Sequence, residues 1–182
     1  NHGTINGATW AGCIDPLASN YLDNAEVDDG SCVGSPINAS DFIYAGELDE
    51  HYYYLSKSKL NWIDAKVACE NSFGHLVTIH DDGENAFVAN ILDNGIYTEG
   101  GETSRLWIGL YDNDSTGAIN DFEWITNEEF DYSSWHSNNP SDFVGEQYVV
   151  TNGGALGKWI DKLNYYNYHF VLEIESGCTD ST

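Results

Sequence analysis

The chain has no methionine, only three prolines, and only six lysines and arginines among 182 residues. A translated chain begins with methionine, so Asn1 is expected not to be the encoded start, and an upstream segment is where a secretory signal would lie. The six basic side chains face 30 Asp and Glu, for a formal net charge of −24. A field of that sign repels nucleic acid and anionic lipid, which removes both from the expected partners, and it attracts divalent cations. Adaptation to solubility or salt explains the average charge equally well. No run approaches the roughly 18 consecutive apolar residues of a membrane span. The six histidines are scattered without the spacing of a zinc motif. No nucleophile, base and orienting group can be assembled, so no enzymatic role is expected.

What is present argues for a packed chain. Hydrophobic residues make up 41% and aromatics 14%, unlike a disordered acidic tail. The length suits one domain with a small appendage. Asn38-Ala39-Ser40 and Asn113-Asp114-Ser115 fit the N-glycosylation pattern, a triplet that is common by chance.

Cysteines stand at 13, 32, 69 and 178. The first two bracket GCIDPLASNYLDNAEVDDGSC, a segment too small to fold on apolar burial alone. A Cys13–Cys32 cross-link is therefore expected, worth roughly 3 kcal/mol in the chain-entropy picture. The segment resembles the short GC-x-DP-x-A-x-NY…DDGSC repeats of large secreted and surface-attached bacterial proteins. That resemblance implies an extracellular module whose carboxylates are candidates for calcium. Gly177-Cys178-Thr179-Asp180 repeats its opening, Gly12-Cys13-Ile14-Asp15. Two readings stay open: the start of a second module whose Cys178 pairs elsewhere, or a tail with Cys178 joined to Cys69. The expected division is a tail at 1–9, the cysteine module at 10–33, a linker at 34–45, the main domain at 46–176 and the start of a second repeat at 177–182.

The main domain reads as mixed helix and strand. Tyr52 to Leu55 is an aromatic strand. A helix follows with Asn61 as N-cap and Asp64 three residues on, burying Trp62, Ala65 and Cys69 and ending at Gly74. His75 to Ile79 is a short strand. A second helix starts near Asp82, turns Phe87, Val88, Ile91 and Leu92 inward and stops at Asn94-Gly95. Leu106 to Tyr111 suits a buried strand, and a last strand alternates Tyr168, Phe170, Leu172 and Ile174 onto one face. Between Asp112 and Asn164 lie long polar loops, which in a compact domain are usually functional.

Two early helices, then LWIGL at 106–110, FEW at 122–124, a loop proline, GEQYV at 145–149, GKWID at 157–161 and HFVLE at 169–173 resemble a C-type lectin-like domain over some 125 residues. The resemblance implies an α+β fold of two helices, antiparallel sheets and a long loop region. It also marks departures. Of the four cysteine positions that usually staple this fold only Cys69 remains, with Tyr148, Asn164 and Leu172 at the others. Cys69 is then expected as a buried, unpaired thiol.

In that family a cis-proline between two oxygen-bearing side chains forms half of a calcium site. A following glutamate and an Asn-Asp pair after a tryptophan complete it. Carried across, Asn139 and Ser141 flank Pro140, Glu146 is the glutamate and Asp161 follows Trp159, while Ile160 stands where an asparagine is expected. Asp142 is a substitute for the weak donor Ser141. Calcium takes six to eight oxygens, and sugar hydroxyls can replace its waters. The resemblance thus implies a weak calcium site at Asn139, Ser141, Glu146 and Asp161. Asn139, Asp142, Glu146 and Asp161 would meet a glycan, and Trp135, Tyr165 or Tyr166 would offer it an aromatic face. The Asn-Pro-Ser combination predicts no particular sugar.

A second loop, DNDSTGAINDFE at 112–123, follows a calcium-loop spacing with Asp112, Asp114, Thr116 and Glu123 at ligand positions. A plain acidic turn between two strands is the competing reading. Two functions stay open. One is an extracellular adhesive module that binds glycans or surface glycoproteins with the help of calcium. The other is a structural or protein-binding subunit of a surface appendage or filament, self-assembling through Cys178 or the loops.

Overall fold

The computed structural model describes residues 10–92, 105–113, 122–141, 143–152 and 154–175. Asn61 and Asp81 start the two helices. The Asn61 side chain accepts from the Asp64 amide at 2.9 Å and donates to the Asp64 carboxylate at 2.7 Å, and helix α1 then runs Trp62–Glu70 with Trp62, Ala65 and Cys69 buried. Asp81 accepts from the Glu84 amide at 2.8 Å and opens α2, Asp82–Asn90. Such caps satisfy backbone donors that a helix leaves unpaired. Val88, Ile91 and Leu92 are buried as expected, while Phe87 is half-buried against the Tyr53 ring. The expected stop at Asn94-Gly95 lies outside the described residues. After α1 the chain turns at Gly74, where a Cβ would lie 2.2 Å from the Glu173 carbonyl oxygen, so only glycine lets this turn approach the last strand.

Strands β1 (Ala11–Gly12) and β2 (Val27–Asp28) form a small parallel pair. The main sheet comprises β3 (Phe42–Leu48), β4 (His51–Ser56), β5 (His75–Leu76), β6 (Leu106–Asp112), β7 (Phe122–Trp124), β8 (Tyr148–Thr151), β9 (Ile160–Lys162) and β10 (His169–Glu175). Its order is β3-β4-β10-β6-β8-β9, with β5 added on β10 and β7 on β6. The β10–β6 pair is parallel and the others are antiparallel. Only two residues of the expected strand His75–Ile79 join the ladder, yet Val77 still donates to Val171 and Ile79 is buried.

Strand alternation sorts the core into two clusters on opposite faces. Tyr53, Leu55, Ile108, Trp124, Trp159 and Val171 pack with α2. Tyr54, Trp107, Phe170 and Leu172 pack with Trp62 and Cys69 of α1. Leu172 thus occupies the neighbourhood of Cys69, which is buried and free. Burial pushes the thiol's pKa up, with Glu70 adding to the effect, so Cys69 is an unreactive core residue. On β10 the alternation holds, but the intervening His169, Val171 and Glu173 are buried as well. This central strand is covered on both faces.

The Cys13–Cys32 disulfide is present. Its module rests on the main sheet: Asp15 accepts from the Leu17 amide at 2.9 Å and from the Tyr54 hydroxyl at 2.8 Å. Strand β3 begins at Phe42, inside the segment expected to be linker at 34–45. Phe42 and Tyr44 pair with Ser56 and Tyr54, and the two aromatics pack with the α1-side core, so that stretch is part of the sheet.

Candidate functional site

The loop Ser137–Gln147 meets β9 at its buried end. The Trp159 amide donates to the Ser134 carbonyl and the His136 amide to the Trp159 carbonyl, which ties the segment leading into the loop to the residue just before β9. The Asn139–Pro140 bond is cis. Immediately after it, the Ser141 amide donates to both Asp161 oxygens, at 2.9 and 2.8 Å. The Ser141 hydroxyl lies 2.6 Å from Glu146 Oε2 and 3.0 Å from Asp161 Oδ2. One hydroxyl proton therefore serves two carboxylates. Burial raises the Asp161 pKa; the Ser141 hydrogen bonds oppose it, and the Glu146 charge adds to it. The Lys162 ammonium reaches the other Glu146 oxygen at 3.4 Å.

The expected residues do not all converge. Ser141, Glu146 and Asp161 come together, and Ser141, the weak donor of the set, is its hub. Asn139 instead bonds within its own loop, its amide donating to the Ser137 carbonyl at 3.4 Å. Asp142 lies outside the described residues. Ile160 is buried in the α1-side core, and strand alternation sends it away from Asp161. Lys162 was missed by sequence reasoning. Its signal is the β8–β9 register, which places it opposite Tyr148, two residues after Glu146, and a register is not visible in one strand's sequence.

Trp135 is no free platform. Its ring is half-buried, edge to face with Phe122 at 5.1 Å and with Trp159 at 5.9 Å, so it is part of the wall under the loop. Tyr165 is 68% exposed and packs on Tyr166 with ring centroids 4.2 Å apart. Tyr166 in turn stacks on Tyr168 at 5.9 Å. The Tyr166 hydrogen bond is the largest influence raising the Tyr165 pKa, and the Glu146 charge adds to it.

The second candidate loop is a hairpin connection. In the β6–β7 register Asp112 faces Phe122 and Tyr111 faces Glu123. Cross-strand partners share a face and neighbours along a strand do not. Asp112 and Glu123 therefore point to opposite faces, with Asp112 buried and Glu123 accepting from the Tyr111 hydroxyl. The calcium-loop expectation fails for this pair; Asp114 and Thr116 lie outside the described residues. Among the described residues no group of three His, Cys, Asp or Glu side chains is placed to hold a metal, and no helix is long and apolar enough to cross a membrane.

The family model for the lectin C-type domain matches residues 58–171. The chain belongs to the C-type lectin domain family. It is similar to lectin BRA-3 of Megabalanus rosa, with 32% identity over 131 residues, covering 70% of this chain and 74% of that protein. It is similar to lithostathine of Bos taurus, with 35% identity over 128 residues, covering 68% and 70%. Among solved structures, the C-type carbohydrate-recognition domain of cow CD23, determined in the presence of a GlcNAc2Man3 oligosaccharide, superimposes with a TM-score of 0.60 at 30% identity. That match covers 78% of this chain and 98% of the CD23 chain.

This C-type lectin domain departs from its family at the site. Three side-chain oxygen donors, those of Ser141, Glu146 and Asp161, converge where the family resemblance implies five. Two carboxylates meet at one hydroxyl there, a set short of the six to eight oxygens calcium takes. Water or ligand hydroxyls would have to supply the remainder.

Proposed function

We propose that this C-type lectin domain is an extracellular recognition module that binds glycans on its long-loop face. The convergence of Glu146 and Asp161 on Ser141 carries the reading. Two carboxylates and a hydroxyl at the rim of a loop are acceptors and a donor for sugar hydroxyls, and the exposed Tyr165, three residues after the Lys162 that reaches Glu146, offers a ring to a sugar's apolar face. Calcium, held weakly by Ser141, Glu146 and Asp161, would offset the repulsion between the carboxylates and take sugar hydroxyls into its shell. Asn139 would join only by turning from Ser137, and Asp142 is a further candidate from the same loop. The family membership and the CD23 domain's oligosaccharide support the glycan reading. An extracellular location is supported by the Cys13–Cys32 disulfide. We read residues 10–33 as a surface-protein module ahead of the lectin domain and 177–182 as the opening of another.

A second reading, a structural or protein-binding subunit of a surface assembly, is favoured by two observations. Ile160 withholds a donor, and Phe143 and Val144 are 70% and 79% exposed at the tip of the candidate loop, where apolar side chains favour protein contact. Calorimetric titration of the chelator-stripped protein with calcium, repeated with a monosaccharide panel, separates the readings. Saturable calcium binding that tightens with one sugar supports the first. Calcium binding indifferent to every sugar, or none, overturns it and leaves the second.

A further inference from the structure

Between the cysteine module and strands β3 and β4 lies a cleft of about 470 Å3, within the usual size of small-ligand sites. Its lining includes Asp15, Phe42 and Tyr54, all more than nine-tenths buried. Tyr44 lines it too, its ring edge to face with Tyr54 at 5.4 Å, and so does the exposed Asp28.

The charge here is unbalanced. The two hydrogen bonds that Asp15 accepts, from Leu17 and Tyr54, fall on the same oxygen, Oδ1. Asp28 Oδ1 accepts from the Gly30 amide at 2.9 Å. Lys57, the basic residue of the lining, donates to the Ala39 carbonyl at 2.6 Å. Among the described residues neither Asp15 nor Asp28 belongs to an ion pair. A buried carboxylate without a counter-charge is costly. The environment disfavours a further negative charge: burial, then Glu47 and nearby groups that include Asp15, push the Tyr44 hydroxyl's pKa up.

We propose that this cleft is a second binding site, separate from the loop cluster, for a small organic cation. Its ammonium or alkylated ammonium group sits against the half-buried Tyr44 ring, with Asp15 and Asp28 as counter-charges. An aromatic face attracts a cation through its quadrupole, most strongly when water is excluded. Phe42 and Ile37 also line the cleft and give its wall an apolar part. The site sits where the module meets the sheet, so a ligand there bridges the two parts of the chain.

The test is an NMR titration of the intact chain with tetramethylammonium and with choline in about 0.15 M salt, which screens the chain's general negative charge. Saturable shifts are expected, with the uncharged isostere dimethylbutanol roughly ten-fold weaker or more. Tyr44→Ala leaves the net charge unchanged and is expected to weaken choline about three- to ten-fold. Asp28→Asn, on an exposed side chain whose amide oxygen can still accept from Gly30, should also weaken it. Asp161→Asn in the loop cluster should leave it unaltered, which separates this site from the glycan reading. A peptide carrying trimethyllysine distinguishes a protein source from a free cation, and tighter binding of either supports the site. Shifts that do not saturate, equal affinity for dimethylbutanol, or unaltered binding in Tyr44→Ala would overturn it.

Discussion

Glu173, fully buried on β10, accepts a short hydrogen bond from His51 Nδ1 on the neighbouring β4. The same carboxylate takes the Thr78 amide at 2.9 Å and has His75 Nδ1 at 3.7 Å. This contact between two strands is ionic when His51 is protonated, and it makes stability depend on pH.

Burial alone would lower the His51 pKa, but the hydrogen bond and charge of Glu173 outweigh it, and the pKa is raised above its ordinary value. A histidine with a raised folded-state pKa contributes stability that is full below the unfolded value, about 6.5, and is lost as pH rises through the folded value. The Tm should therefore fall as pH rises above about 6.5. His51→Gln should flatten that step; an unchanged pH profile in this variant would assign the step to another group.

The Asp161 pKa is raised as well, so its charged form is disfavoured in the folded chain. The sign is the same in a lower window: the stability contribution is present below the ordinary carboxylate range, about 4, and declines as pH rises through the raised value. A cation at the cluster should reverse the loss. At ten times its Kd, calcium would add about 1.4 kcal/mol, read as a higher Tm. Asp161→Asn should abolish that gain, and a persistent gain would place the ion elsewhere.

Trp135 and Tyr165 should part company under substitution. Trp135→Ala removes a ring packed on Phe122 and Trp159 and should cost about 2 kcal/mol in denaturant unfolding. Tyr165→Ala, on an exposed ring, should leave stability within about 0.5 kcal/mol and weaken any glycan bound beside Glu146. Equal losses of stability in the two variants would mean that the tyrosine ladder is structural.

Ile160→Asn, which restores the residue type the family resemblance calls for, should not rebuild a calcium site. The side chain is buried among the α1-side aromatics, so the change deletes apolar contact and buries an amide. A loss of about 2–4 kcal/mol is expected. Calorimetry of that variant should show no tighter calcium binding.

Reducing the Cys13–Cys32 bond should release the module while the lectin domain stays folded. The cross-link spans 19 residues and is worth about 3 kcal/mol. Limited proteolysis under reducing conditions should cut within residues 10–35 and spare the sheet. Tyr54→Phe, which removes the hydrogen bond to Asp15, should hasten the same cut.

The local elements were legible because local chemistry makes them. Asn61 and Asp64 carry the chemistry of a helix start within four residues, LWIGL has a strand's length and apolar content, and two cysteines close a segment too small to hold itself together. The motif order from Trp62 to Leu172 sufficed to identify the lectin fold. The site was only half legible. Glu146 and Asp161 stood out by type, but their meeting on Ser141, the turning of Asn139 to Ser137 and the arrival of Lys162 depend on the β8–β9 register and on how the proline loop lies on Trp159. The opposite-facing Asp112 and Glu123 depend likewise on a cross-strand register, and the packing of Trp135 and Ile160 on which face of the sheet each one reaches. Residue type sets what a side chain can bind. Which side chains share a point in space is decided by long-range pairing, whose energy comes from burying both faces of β10 and its neighbours at once, and no short stretch of sequence contains that information.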